Sequence, residues 1–186
     1  MAFTVRRLLT HIAAEIEALF AEPGDRLPWR RLELRSFNVT FGPKFFFGRH
    51  LHIHSPGRLT IGDRATFGSY VQLMNFARIK VGDDFLCAGN LVINTGTHDP
   101  VTLLPGAAPV TIGQRVWCGT NVTILAGVAI GDDVVIGAGS VVNKSIPSNS
   151  IAYGVPARVI RPLDRSQVKK LWDWTDPHRQ SEGENI

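Results

Sequence analysis

Residues 110–142, VTIGQRVWCGTNVTILAGVAIGDDVVIGAGSVV, repeat with a period of six. Cut at Ile112, the stretch reads IGQRVW, CGTNVT, ILAGVA, IGDDVV and IGAGSV, and the register runs on into VNKSIP. An aliphatic residue or Cys opens each block, a small or acidic residue usually follows, and a compact residue sits fifth. A strand alternates with a period of about 2 and a helix repeats about every 3.6 residues, so neither hosts a sustained period of six. The pattern fits a hexapeptide β-helix, in which each flat side of a coil stacks on the side below it.

The same register extends upstream. Phe41, Phe47 and Ile53 open three blocks, as do Ile61, Phe67 and Leu73, and then Val81, Cys87 and Ile93. Three blocks close one triangular turn, so these are three coils. Leu59 with Thr60, and Ile79 with Lys80, read as small corner insertions between them. Residues 99–109 (DPVTLLPGAAP) break the period, two coils follow from Ile112 and Ile130, and a degenerate remnant begins at Ser148. The opening residues are expected to point inward as one apolar column, stabilising the fold at roughly 25 cal/mol per Å² buried. Gly, Asp and Asn next to them suit tight corners that call for positive φ. A charge in the column, as in Ile124→Asp, should unfold several coils together.

Outside the repeat, residues 3–20 read as an amphipathic helix, with Val5, Leu8, Leu9, Ile12, Ile16 and Leu19 at helical spacing. It is expected to cover the open end of the solenoid; Glu15, Glu17 and Glu22 argue against a membrane-surface helix despite Arg6 and Arg7. Residues 28–38 read as irregular, residues 165–174 as a second amphipathic helix, and the last residues as a disordered tail. The resulting division is 1–38 for the helix and cap, 39–162 for the β-helix with its loop, and 163–186 for the C-terminal helix and tail.

With 186 residues, 44% of them hydrophobic and 19% charged, the chain suits one soluble domain with appendages. It has no apolar run near the roughly 18 residues of a membrane span and no signal-peptide core, so a cytoplasmic protein is the expectation. Cys87 and Cys118 open hexapeptides and read as buried hydrophobes rather than a disulfide. The net charge of +4 suggests an anionic partner. No nucleic-acid-binding module is present and the aromatics do not interleave with the basic residues, so nucleic acid is not expected.

The repeat, the interrupting loop, INTGTHDP (residues 93–100) and GVPARVIR (residues 154–161) together resemble the hexapeptide-repeat acyltransferases, a left-handed parallel β-helix family. The nearest likeness is to the sugar O-acetyltransferases of the maltose, galactoside, nodulation and surface-polysaccharide type. The resemblance covers about residues 41–162. It implies transfer of an acetyl group from acetyl-CoA to a saccharide hydroxyl, no metal, and a homotrimer whose active sites lie between subunits, with the loop reaching a neighbour. Long loops in compact domains tend to be functional. The acceptor class is open: a lipid-linked or anionic sugar, an amino sugar, an antibiotic or serine, although the large helical N-terminal domain of serine acetyltransferases is missing.

By the same resemblance, His98 is the general base, and His is the side chain that exchanges protons near neutral pH. Asp99 either orients His98 or starts the loop. Asn90 either holds the site or makes a tight corner. Asn75 and Tyr70 are candidates for facing the acceptor; Gly68 stands where the family pattern leads one to expect Asn. For CoA, Trp117 is placed beside the pantetheine arm, and Gly119, Thr120, Ala138 and Gly139 keep the surface flat for its amides. Lys144, Arg158 and Arg161 are candidates for the nucleotide phosphates. Two other readings stand beside this one. His50, His52 and His54 alternate and so should share one strand face, which raises a zinc-dependent hydratase like the γ-class carbonic anhydrases on the same fold. The other is a non-catalytic binding scaffold.

Overall fold

Three parallel sheets wrap the chain into a triangular β-helix of about five turns, seen in a computed structural model that describes residues 8–9, 12–14, 16, 32, 34–35, 39–54 and 59–166. Strands are numbered along the chain. The first face stacks β1 (Thr40–Phe41), β4 (Leu59–Ile61), β7 (Ile79–Val81), β12 (Val110–Ile112) and β15 (Ala129–Ile130). The second stacks β2 (Phe45–Phe47), β5 (Ala65–Ser69), β8 (Leu86–Gly89), β13 (Trp117–Cys118) and β16 (Val134–Ile136), and is closed by the hairpin of β18 (Ser150–Gly154) and β19 (Ala157–Pro162). The third stacks β3 (Leu51–Ile53), β6 (Val71–Met74), β9 (Val92–Asn94), β14 (Thr123–Ile124) and β17 (Val141–Val142).

The opening residues of the sixes do form the core. Phe47, Phe67, Cys87, Cys118 and Ile136 make one buried column, and Leu73, Ile93, Ile124 and Val142 another. The fifth position also points inward and is not always compact: Phe45 and Phe85 are buried there, and Phe67 packs between them at 6.0 and 5.0 Å. Two sharp corners of the turns carry residues with positive φ: His50, Tyr70, Asn90, Asn121 and Gly139 line the corner between the second and third faces. Arg64, Asp84, Arg115, Asp133 and Asn149 line the corner between the first and second.

The extra residues of the long coils lie elsewhere than the sequence pattern placed them. Leu59 and Ile79 are buried, and Ile79 pairs with Leu59 on one side and Val110 on the other, so they are core positions of the first face and not insertions. The additional length falls just upstream, in the corner from the third face to the first, where residues 75–78 form a bend. Two apolar residues per block made Leu59 and Ile79 look dispensable to the period; their burial fixes them in it. The register steps from Thr60 to Lys80, from Lys80 to Thr111 and from Thr111 to Ala129, so the third coil carries the largest excursion.

At the open end, Leu32, Leu34 and Arg35 are helical where an irregular segment was expected, and Leu34 is buried in the core cluster. Residues 8, 9, 12–14 and 16 are helical as expected, but Leu8, Leu9, Ile12 and Ile16 face solvent and Ala14 is buried. At 3.6 residues per turn Ala14 lies about 180° from that apolar stripe, so the helix is turned the other way round from a simple cap. The second expected helix begins within the described residues at Arg165 and Ser166, which are not helical; the rest of it, residues 167–174, and the tail lie outside them. Among the described residues no helix is long and apolar enough to cross a membrane.

Candidate functional site

The period breaks at a hairpin, and the hairpin carries the candidate base. β10 (Gly96–His98) pairs antiparallel with β11 (Pro105–Ala107), Gly96 opposite Ala107 and His98 opposite Pro105. Thr95, fully buried at its base, anchors it. The Thr95 hydroxyl donates to the Met74 carbonyl at 3.0 Å and accepts from the Ala77 amide at 2.8 Å, tying the hairpin to the bend of the coil before it. The Ala108 amide donates to the Thr95 carbonyl at 2.9 Å and closes the base from the other side.

His98 Nδ1 lies 2.8 Å from the Leu103 carbonyl oxygen. A carbonyl only accepts, so Nδ1 carries the proton and the neutral ring presents Nε2 as its lone-pair nitrogen. Leu103 reaches this position with φ at 58°, and its amide donates to the Asp99 carbonyl at 2.9 Å. The Asp99 side chain does not orient His98. Its Oδ1 accepts from the amides of Val101 (2.9 Å) and Thr102 (2.7 Å) and from the Thr102 hydroxyl (2.9 Å), which shapes the hairpin tip. Those bonds, the Thr102 amide first, hold the Asp99 carboxyl below the usual carboxylate range. Of its two expected roles, the loop start is the one the geometry supports, and a backbone carbonyl takes the orienting role.

The other candidates are spread over the prism. Asn90, exposed at φ 54°, occupies the corner between second and third faces, as Asn121 does in the next coil. From there to Thr95 is about 16 Å of extended chain, so one copy does not bring Asn90 beside His98. Tyr70 lies at the same corner one coil earlier, exposed. Asn75 is 2% exposed inside the bend near Thr95, enclosed rather than facing an acceptor. Gly68 has a structural reason: a Cβ there would sit 1.3 Å from the Ala88 carbonyl oxygen of the next coil, so no larger residue fits.

Trp117 projects from the second face, 47% exposed. Gly119 is buried and a Cβ on it would come within 2.7 Å of the Ala138 amide nitrogen, while a Cβ on Gly139 would meet open space. Thr120, Ala138 and Gly139 are exposed at the corner beside Trp117's face. Arg158 and Arg161, also exposed, are on β19, three strand spacings from β13 on the same sheet. Lys144 is exposed but follows β17 on the third face, so the structure does not group it with the two arginines. A cleft of about 620 Å³ beside Arg115, Asp133 and Arg165 lies at the corner between first and second faces, away from His98. There Asp133 is held below its ordinary range by its ion pairs with Arg115 and Arg165.

The three histidines do not converge. His50 is a corner residue stacked on Tyr70 at 4.7 Å, because its positive φ takes it out of the strand alternation, and His52 and His54 have ring centres 6.4 Å apart. No group of three His, Cys, Asp or Glu side chains suited to a metal occurs among the described residues. The sequence pattern did not single out Leu103 or Thr95. A carbonyl has no residue-type signature, but Thr95 stands at a block position where neighbouring coils carry no β-branched hydroxyl.

The comparisons agree with this architecture. The family described as bacterial transferase hexapeptide (six repeats) matches residues 109–144. The chain is 36% identical over 153 residues to the putative lipopolysaccharide biosynthesis O-acetyl transferase WbbJ of Escherichia coli K12, covering 73% of this chain and 76% of that one. A maltose O-acetyltransferase from Clostridium difficile 630 superposes with a TM-score of 0.75 at 29% identity, over 88% of this chain and 89% of that one. A galactoside acetyltransferase in complex with coenzyme A superposes at 0.59 and 30% identity, over 90% and 85%. With a period-six solenoid, a hairpin at its break and relatives of this identity and coverage, the chain belongs to the hexapeptide-repeat transferases.

Proposed function

We propose that this protein transfers an acetyl group from acetyl-CoA to a hydroxyl of a saccharide in surface-polysaccharide biosynthesis, with His98 as general base. The observation that carries the reading is the bond from His98 Nδ1–H to the Leu103 carbonyl, which leaves Nε2 to accept a proton. In the reaction, Nε2 takes the acceptor hydroxyl's proton as that oxygen attacks the acetyl carbonyl. The tetrahedral oxyanion collapses with cleavage of the C–S bond, and the imidazolium returns its proton to the CoA thiolate. The names of the relatives, for lipopolysaccharide, maltose and galactoside acetylation, support the saccharide acceptor.

The working form is a homotrimer in the cytoplasm, with each site built between two copies. His98 stands at the corner between third and first faces, whereas Trp117, Arg158 and Arg161 share the second face, so one prism separates the base from the CoA surface. Exposed apolar residues support burial against another copy: Val101, Leu103 and Leu104 at the hairpin tip, and Val155, Val159 and Ile160 on the C-terminal hairpin. On the second face the distance from Trp117 to the arginines is about 14 Å, three strand spacings, along which an extended pantetheine arm runs from the thioester to the phosphates. Lys144 and Asn90 serve such a site only from the opposing copy.

His98→Ala lowers kcat by orders of magnitude and leaves CoA affinity nearly unchanged, measured by thiol release and by calorimetric titration with CoA. Turnover at the wild-type rate removes His98 from the role, and full activity in a strictly monomeric protein removes the intersubunit site.

A further inference from the structure

The corner that carries His98 also carries an exposed aromatic shelf. Phe76 projects from the bend at residues 75–78 and is 44% exposed. Its ring lies where a side chain on Gly96 would be: a Cβ built on Gly96 would approach Phe76 Cδ2 to 2.6 Å. Gly96 and His98 are two apart on β10, and residues two apart on a strand point to the same side. His98 therefore projects toward the side on which Phe76 lies. Behind Phe76, the His54 ring is 4.6 Å away, tilted by 50°, and His54 is exposed.

The shelf continues across the third face. His52 and Gln72 are register partners, both exposed, in the middle of that face. At its far edge His50 stacks on Tyr70 at 4.7 Å with the rings 20° from parallel. From His50 to His54 the chain spans about 13 Å of extended backbone, longer than one pyranose. Ring faces alternating with imidazole, amide and phenol groups suit a sugar chain. The C–H bonds of a pyranose face carry partial positive charge and meet the negative face of an aromatic ring, while its hydroxyls need hydrogen-bond partners at the edges.

Resting on the acyltransfer reading above, we infer that Phe76 and His54 form the platform for the acceptor sugar next to His98, and that His52, Gln72, His50 and Tyr70 hold the saccharide residues linked to it. The acceptor is then an oligosaccharide or polymer-bound sugar laid across the third face, and Phe76 sets which pyranose face is presented to the base.

The test is acceptor kinetics by CoA release with a panel of methyl glycosides of hexoses and 6-deoxyhexoses and their linear oligosaccharides. Phe76→Ala raises the acceptor KM at least fivefold for each glycoside the wild type acetylates, with the acetyl-CoA KM unchanged, and Phe76→Trp restores it. Tyr70→Ala raises KM for the oligosaccharides and leaves the methyl glycosides as they were. A Phe76→Ala enzyme that loses kcat uniformly with KM unchanged overturns the platform, because it shows Phe76 only props the hairpin. A variant that changes trimer mass by light scattering, with acceptor KM unaltered, also overturns it and assigns the shelf to a subunit contact. Unchanged KM in both variants overturns it while leaving the acyltransfer reading standing. A wild type that releases CoA with none of the glycosides overturns the saccharide reading itself.

Discussion

Replacing Leu103 by proline tests whether a backbone carbonyl orients the base. Leu103 has φ at 58°, and proline holds φ near −65°, so the substitution turns the local backbone by about 120°. It removes the amide that donates to the Asp99 carbonyl at 2.9 Å and carries the Leu103 carbonyl away from His98 Nδ1. The imidazole loses one hydrogen bond worth about 1 kcal/mol and regains rotamer freedom worth about 0.5–1.5 kcal/mol. A sum of about 2 kcal/mol, at about 1.4 kcal/mol per decade, lowers kcat roughly 30-fold. CoA release at saturating acetyl-CoA and acceptor measures it. Leu103 is exposed within one copy, and light scattering checks that the trimer keeps its mass, so that the loss is read from an intact assembly. Leu103→Gly is the control: glycine adopts positive φ without strain and keeps the carbonyl, so kcat remains within about threefold. A proline variant that turns over within threefold of wild type refutes the orienting role.

Three further outcomes follow from the same geometry. Asp99→Asn keeps the Oδ1 acceptor and most of the activity, whereas Asp99→Ala loses the tip bonds and lowers kcat severalfold; equal losses in both would restore the carboxylate itself to the site. Because the folded Asp99 carboxyl lies below its ordinary range, its contribution to tip order is complete above the unfolded value near 3.8 and is lost as pH falls through the lower folded value, which amide exchange of Val101 and Thr102 reports. Gly68→Ala forces a Cβ against the Ala88 carbonyl and strains the bond from the Asn90 amide to the Ser69 carbonyl, so urea unfolding shows a loss of about 2–4 kcal/mol, and a loss under about 1 kcal/mol counts against the packing described. Burial raises the Cys87 thiol to about 12 and lifts the fully buried Cys118 thiol well above its ordinary value, so neither reacts with a disulfide reagent until the chain unfolds; a fast-reacting thiol in the native protein contradicts this.

The fold was legible because the solenoid repeats one physical requirement. Each opening side chain, from Phe47 to Ile136, must fill the same narrow interior, so burial is written into the sequence at a fixed interval. The same logic misled at Leu59 and Ile79, where two core positions in succession looked like an insertion until pairing with Val110 fixed their register. His98 was singled out as the candidate base by the broken period and its family context. Its orientation was not, since Leu103 acts through a carbonyl that every residue possesses. Asp99 showed the reverse ambiguity: a carboxylate next to a histidine suits both a catalytic pair and a turn, and only the bonds from Val101 and Thr102 decide between them. The apolar stripe of Leu8, Leu9, Ile12 and Ile16 identified a helix but not its rotation, because periodicity gives a face and not the partner that covers it.

The placement of the candidate base at one corner has a physical reason. In the stacked coils, backbone amides and carbonyls are spent on the coil above and below, as where the Gly119 amide donates to the Ile136 carbonyl and the Gly139 amide to the Thr120 carbonyl. A side chain on such a face is held at fixed spacing by its neighbours, and groups on different faces diverge. Within the stack, the amides that bond to side chains, such as those of Asp63 and Gln114, reach carboxylates of the next coil, and extra chain length lets backbone groups fold back and bond to a side chain outside it. That length enters at the corner between third and first faces, as the bend at residues 75–78 and then as the hairpin of β10 and β11. The bend contributes Phe76 and the anchoring contacts to Thr95, and the hairpin contributes His98 with its orienting carbonyl. Shortening the hairpin by deleting residues 99–104 should leave the five turns paired as before while removing Leu103, if the regular coils and the candidate corner are separable parts of one chain. Retained melting behaviour with lost turnover is the result this separation requires; a deletion that unfolds the coils would show instead that the hairpin belongs to the core.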